Sequence, residues 1–273
     1  MKLFIANVGV NSRDASERGI RSPIFDDGTF EFLPIKESRE NAKFTHHKYS
    51  NITCFNAPQN TLARFVDLRY ADYAVHNDPE FATFTYGDIN SSRGSNLKLI
   101  KWQDILLFLA RLNDYREGLG FIGSGRFYFI GYFTVDSIAE FDDGHPRCGR
   151  EKLNGIGNNA HYIRLMTREG DTFRIVKGTL NLSRRFKTAL EVTPEIAGLV
   201  FNGAYSEDSD TFVSKATGET ILNKNGKPTR FKFFGSNTRT IQSYLDSDVP
   251  SEKTSLDELM RIIDKDCFLT AHS

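Results

Sequence analysis

Cysteine is scarce in this chain, and its three copies, Cys54, Cys148 and Cys267, stand far apart with no CxxC pairing. That spacing argues against a zinc ribbon and against a disulfide framework, and it fits a reducing cytoplasm. Long uncharged apolar runs are also lacking, and no window reaches membrane-spanning length. The opening Met1-Lys2-Leu3-Phe4-Ile5-Ala6-Asn7-Val8-Gly9 is broken by Asn7 before it could serve as a signal-peptide core. A soluble cytoplasmic protein with no membrane partner is therefore expected. Net charge is absent as well: 35 basic residues balance 35 acidic ones. A molecule so balanced exerts no long-range pull on a polyanion, so contacts with nucleic acid must come from local patches.

Several catalytic signatures are missing too. There is no P-loop, no G-x-S-x-G and no H-E-x-x-H, and His46-His47 has no partner at zinc-finger spacing. Gly123-Ser124-Gly125 precedes an apolar strand-like run rather than a helix, which excludes a dinucleotide fingerprint. No particular cofactor is indicated. Cys148 lies between Arg147 and Arg150, where nearby positive charge favours a thiolate, but no other feature marks it as a nucleophile.

What is present is phenylalanine and strand-forming sequence. With 23 phenylalanines and 39% hydrophobic residues among 273, the chain can bury a sizeable core. Phe, Tyr, Ile, Val and Thr cluster in short segments separated by Gly, Asp and Asn, the pattern of a strand-rich fold. Asp104 to Leu112 and Arg126 to Val135 read as two strands of one sheet, the second curled at Gly131. Three tight hairpins are expected. Ser22 to Phe25 and Thr29 to Leu33 flank Asp27-Gly28, His161 to Met166 and Thr172 to Lys177 flank residues 168–171, and Thr220 to Leu222 and Thr229 to Phe234 flank Asn225-Gly226. A short helix is expected within Asn60 to Tyr70. A second, opened by the capping-box spacing Ser255 to Glu258, should run from about Leu256 to Asp264. The Gly- and Asn-rich stretch Gly144 to Asn159 reads as a linker, and Tyr205 to Thr220 as a boundary or insertion. The fold class is thus α+β, mainly antiparallel, with a core domain over 1–204 and a C-terminal extension over 205–273 packed on it.

The candidate chemistry centres on His76-Asn77-Asp78-Pro79-Glu80. A histidine two residues before an aspartate stiffened by proline suits a proton-transfer pair, or two ligands to a divalent metal if another side chain converges. The plainer alternative is a polar turn in which Asp78 caps backbone donors. Asn7, Asn11, Arg21 and Ser22 form a second set, chemically apt for a phosphate or a base edge or for a self-satisfied turn. Trp102, Tyr128 and Tyr132 could enclose a base, with Arg111 and Ser183-Arg184-Arg185 holding phosphates. The basic tracts from Arg174 to Lys187 and from Lys224 to Arg239 interleave cations with aromatics. Half-buried strands with a solvated face show the same alternation.

The order of these segments carries a resemblance. Arg21-Ser22-Pro23-Ile24-Phe25-Asp26-Asp27-Gly28-Thr29 comes first, Asp78-Pro79-Glu80 next, and then the pair Asp104 to Leu112 and Arg126 to Val135. In that order they resemble the third family of nucleotide-modification-associated domains over roughly Met1 to Gly198. The strand pair with its central Gly131 is also similar to the core of PUA/EVE-like barrels, whose members bind RNA or read modified bases. These resemblances imply recognition or processing of modified nucleotides, with nucleotide or DNA as partner and modification or defence proteins as further partners. They leave open whether the protein is an enzyme with His76, Asp78 and Glu80 as its acid/base or metal groups, a non-catalytic reader, or an interaction subunit.

Overall fold

The computed structural model of the protein describes residues 1–9, 19–89, 95–166, 172–223, 226–234 and 242–268. Its strands in chain order are β1 (Lys2–Val8), β2 (Ser22–Ile24), β3 (Ile35–Lys36), β4 (Val75–His76), β5 (Thr85–Ile89), β6 (Ile105–Arg116) and β7 (Gly120–Phe121). There follow β8 (Arg126–Asp142), β9 (His145–Pro146), β10 (Phe173–Gly178), β11 (Arg184–Glu191), β12 (Gly203–Ser206), β13 (Thr211–Ser214) and β14 (Gln242–Asp246). The α-helices are α1 (Ala160–Ile163), α2 (Pro194–Val200) and α3 (Pro250–Phe268).

The expected strand pair is the spine of the molecule. β6 and β8 run antiparallel from Ile105 opposite Thr134 to Leu112 opposite Arg126, with an irregularity between Phe108 and Leu109. Both are buried almost continuously, from Ile105 through Ala110 and from Tyr128 through Phe133. This explains why they read as unbroken apolar runs rather than alternating ones. The first half of β8 lies between β6 and β11, while its second half pairs with β10 and β9. Asp104, the acidic residue ahead of β6, is buried and fixes the start of the pair by accepting hydrogen bonds from the Lys2 and Lys101 amides at 2.7 and 2.8 Å.

The barrel expectation is not met. Among the described residues the main sheet is open, in the order β14-β1-β6-β8-β10-β5, with further strands pairing off that path. β1 and β2 both run parallel to β6, so β6 is edged by parallel neighbours where a meander of hairpins would place antiparallel ones. The architecture is mixed α/β with mainly antiparallel strands and few helices.

The expected turns also differ in detail. At Asp27-Gly28 only Gly28 takes positive φ, and Phe25 closes the turn by accepting from Gly28 N and donating to Thr29 O, each at 2.9 Å. The loop is therefore the three-residue kind with a left-handed glycine, and its antiparallel pairing is the single bridge Ile24–Phe30, because β2 turns to pair with β6 instead. Residues 161–166 are helical, not extended, since Asn159 caps α1 by accepting from His161 N. The turn at 168–171 lies outside the described residues. Around Gly226 the chain reverses with the bridge Leu222–Pro228, but residues 231–233 form a 3-10 turn.

The Gly144 to Asn159 stretch is built into the fold rather than serving as a linker, because its Ile156 is fully buried with Phe141, Phe173 and Ile175. Asn60 to Tyr70 forms two 3-10 turns, Leu62–Phe65 and Leu68–Tyr70. α3 begins at Pro250, about a turn and a half before the expected start, so Ser255 lies inside it and donates to Asn202 Oδ1 at 2.9 Å. Leu256, Leu259, Ile263 and Cys267 are its buried face, and each buried aliphatic stabilises the docking by about 1.5–3 kcal/mol. No helix among the described residues is long and apolar enough to cross a membrane.

Candidate functional site

The short antiparallel pair of β3 and β4 sets Ile35 opposite His76, and the chain then places Glu37 beside the same histidine. Glu37 Oε2 and His76 Nδ1 are 2.9 Å apart, both residues buried. The other Glu37 oxygen receives Arg164 Nη2 at 3.1 Å, Asn41 Nδ2 at 3.2 Å and the Ser38 amide at 2.8 Å. Burial alone would raise the Glu37 pKa, but the hydrogen bond from His76 and the His76 and Arg164 charges hold it well below the usual carboxylate range.

Asp78 follows two residues later, after a tight turn in which its amide donates to His76 O at 2.8 Å. Its carboxylate accepts from Gly87 N at 3.1 and 3.3 Å and from Asn159 Nδ2 at 3.1 Å. Enclosure pushes its pKa well above the ordinary aspartate value; the charge of Asp88 adds to that, and the Gly87 and Asn159 donors oppose it. His161, carried on α1, reaches in from the other side. Its Nε2 stands 3.6 Å from Asp78 Oδ2, and its ring meets that of His76 edge to face with centroids 4.8 Å apart. Burial drives the His161 pKa well below the usual imidazole value, reinforced by the His76 and Arg164 charges. Its Nδ1 is buried without a hydrogen-bond partner.

Gly87 makes this approach feasible. A Cβ there would lie 2.8 Å from His161 Cδ2 and 2.9 Å from Asn159 Oδ1. One donor atom from each of His76, Asp78 and His161 lies within 4.8 Å of the other two, so among the described residues this trio is the donor set that could hold a metal ion.

Glu80 takes a different role from its neighbours. Its carboxylate accepts from Ala82 N at 2.6 Å, Thr83 N at 2.9 Å and the Thr83 hydroxyl, so it ties up the turn rather than joining the His/Asp cluster.

The same segment also borders a cleft. Asn77, Pro79, Glu80, Phe81 and Ala82 form one wall, Glu31, Phe32 and Pro34 another, with His47, Asn51, Thr53, Asn158 and Arg185 completing a space of ≈ 330 Å³. Arg185 is clamped there. Its Nη2 is 3.2 Å from Glu31 Oε2, and its guanidinium carbon lies 4.2 Å from the Phe55 ring centre and 5.7 Å from those of Phe30 and Phe81. Glu31 is itself fixed by the amides of Phe55 and Asn56 at 2.8 and 2.6 Å. Burial lowers the Arg185 pKa and Glu31 partly restores it. Arg185 Nε and His47 Nε2 are both buried without hydrogen-bond partners. The backbone from 76 to 80 thus divides a buried His/Asp cluster from an amide- and aromatic-lined cleft.

The remaining sequence candidates are dispersed. Asn7 is buried in β1 opposite Leu109, and Arg21 lies over the Phe121 ring at 5.7 Å; neither is among the residues lining the cleft. Ser22 is buried and its Oγ accepts from Leu33 N at 2.9 Å. Asn11 lies outside the described residues. Arg111 donates to Gly125 O at 3.1 Å, Trp102 is 67% exposed, and Tyr132 packs on Phe186. Ser183 is buried with its Oγ accepting from Thr134 N, and Arg184 is exposed and donates to Ser183 O. Arg174 of the first basic tract pairs with Glu140 across the sheet, and much of the second tract lies outside the described residues. Residues 224–225 and 235–241 are among those.

The mixed α/β fold brings the buried His/Asp cluster and the cleft together as the candidate site, and the residues of both lie within the first two hundred. The chain belongs to the nucleotide modification associated domain 3 family, whose model matches residues 2–198. Comparison with curated proteins and with solved structures gave no match. Membership implies a role associated with nucleotide modification.

Proposed function

We propose that the protein recognises a single nucleotide, most naturally a modified one, with the base in the cleft between Phe32, Phe81 and the amides of Asn77 and Asn158. The observation that carries this reading is the convergence on one cleft of the Arg185 guanidinium, held against the Phe55 and Phe81 rings, with Phe32, Asn77 and Asn158. Aromatic rings offer a base a stacking surface, and each amide offers it a hydrogen bond. The cleft volume of ≈ 330 Å³ lies at the low end for small-molecule sites and suits one nucleotide, not a duplex. A base within DNA would have to be flipped out to enter.

Titration calorimetry with nucleoside monophosphates, unmodified and modified, and with short single-stranded and duplex DNA tests this. Saturable binding of a nucleotide is expected, weakened roughly 3- to 10-fold by Asn77→Ala or Asn158→Ala, the effect of one hydrogen bond. Absence of binding to the whole set, or binding that both substitutions leave unchanged, would sink the proposal. A second reading, processing of the bound nucleotide, is favoured by the His76–Asp78–His161 cluster directly behind the cleft wall; turnover of a bound nucleotide distinguishes it from recognition alone.

A further inference from the structure

We propose that His76, Asp78 and His161 form a site for a divalent transition-metal ion, with Glu37 as the outer residue that orients His76. This goes beyond nucleotide recognition and does not depend on it. The donor set is two imidazoles and one carboxylate, which suits zinc and its first-row neighbours better than magnesium or calcium, whose ligands are oxygens.

Three features of the cluster support the assignment. First, His161 Nε2 and Asp78 Oδ2 are 3.6 Å apart, too far for a good hydrogen bond. It is close to the roughly 3.3 Å that separates two donors on a tetrahedral zinc with bonds near 2.0–2.1 Å. Second, α1 carries His161 into the interior with only 5% of its surface exposed and its ring edge to face with that of His76 at 4.8 Å, so that donor atoms of both imidazoles and of Asp78 lie within 4.8 Å of one another. Third, the contact of His76 Nδ1 with Glu37 Oε2 at 2.9 Å fixes the tautomer that presents Nε2 as a lone pair. This is the carboxylate–histidine arrangement found behind metal-bound imidazoles. The Gly87 amide and the Asn159 side chain orient Asp78 in the same manner. Three protein donors leave a coordination position for water or a ligand atom, the pattern of reactive rather than purely structural zinc sites.

The test uses the full-length protein stripped with chelator and titrated with cobalt(II) and zinc(II). Cobalt should bind in a one-to-one ratio and give visible d–d absorption that zinc displaces, and zinc should raise the melting temperature. Asp78→Asn and His161→Gln should remove the cobalt bands, and Glu37→Gln should weaken zinc binding about 10- to 100-fold. If a substituted protein fails to fold, the wild-type cobalt spectrum and stoichiometry decide alone. Wild-type protein that takes up neither ion stoichiometrically, or variants that keep the cobalt spectrum intact, would overturn the assignment and leave a buried hydrogen-bonded cluster.

Discussion

His76 and Glu37, separated by 39 positions in the chain, meet at 2.9 Å in the interior, and Arg164 closes on the far oxygen of the same carboxylate at 3.1 Å. Glu37 therefore stands between the His76 ring and the Arg164 guanidinium, with both Glu37 and His76 buried. Glu37→Ala removes the shared anion and leaves Arg164 without its carboxylate. Breaking a buried pair from one side typically costs 3–5 kcal/mol. Chemical denaturation should show a loss of about that size, well above what an exposed Glu→Ala change such as Glu117→Ala produces.

The closeness of His161 to the second strand of the site depends on one missing side chain. Gly87→Ala would set a methyl group 2.8 Å from His161 Cδ2 and 2.9 Å from His161 Cβ, so either α1 or β5 must shift. Overpacking of this sort costs about 1–3 kcal/mol. The melting temperature should fall, and the cobalt spectrum, where present, should change shape because the ring is displaced. An unchanged spectrum with an unchanged melting temperature would show that α1 yields freely.

Much of the scaffold was legible in the sequence because its signals are local. The apolar runs of β6 and β8 announce buried strands, and Leu256, Leu259 and Ile263 mark a helix face whatever their distant neighbours are. The barrel was not legible as absent, since whether β1 and β2 join β6 in parallel depends on chain crossovers that no local pattern encodes. The site was half legible. His76 and Asp78 stand out as a spaced pair, but Glu37 sits in the charged run Lys36-Glu37-Ser38-Arg39-Glu40, which reads as a solvated surface. His161 read as part of a strand, although Asn159 two residues earlier is the N-cap signal that could have corrected it. Its approach to Asp78, with Asn159 joining across 81 residues, is a product of tertiary packing alone.

The thiols give a prediction with a definite sign. Burial pushes the Cys54 pKa up to about 11 and the Cys267 pKa up to about 12, against about 8.5 in an unfolded chain. A raised folded pKa means that the stabilising difference is fully present below about pH 8.5 and is lost as pH rises towards 11–12, because only the unfolded state ionises in between. Denaturation midpoints should fall between pH 8 and pH 10.5, and the fall should be smaller in a Cys54→Ala/Cys267→Ala protein. In the native state at pH 8 a maleimide should label Cys148, which is partly exposed, far faster than the two buried thiols.

Arg184 and Arg185 provide the sharpest test of how the cleft works. Successive residues of a strand point to opposite faces, and here the alternation separates an exposed guanidinium from one enclosed by Glu31, Phe55 and Phe81. Sequence cannot rank the two, because both belong to the same basic tract. Arg184→Ala should leave stability within about 0.5 kcal/mol of the wild type, as expected for a surface change, and should leave nucleotide binding intact. Arg185→Ala strands the buried Glu31 carboxylate and should cost about 3–5 kcal/mol, with loss of nucleotide binding. Since that loss could follow from instability alone, Arg185→Lys is the informative companion. It keeps the charge beside Glu31 but removes the planar guanidinium that lies against the rings, and Arg and Lys are not equivalent at stacked sites. A folded Arg185→Lys protein with binding weakened at least as much as in Asn77→Ala would tie recognition to the guanidinium. Wild-type binding in that protein, with reduced binding in Arg184→Ala, would move the nucleotide to the outer face of β11.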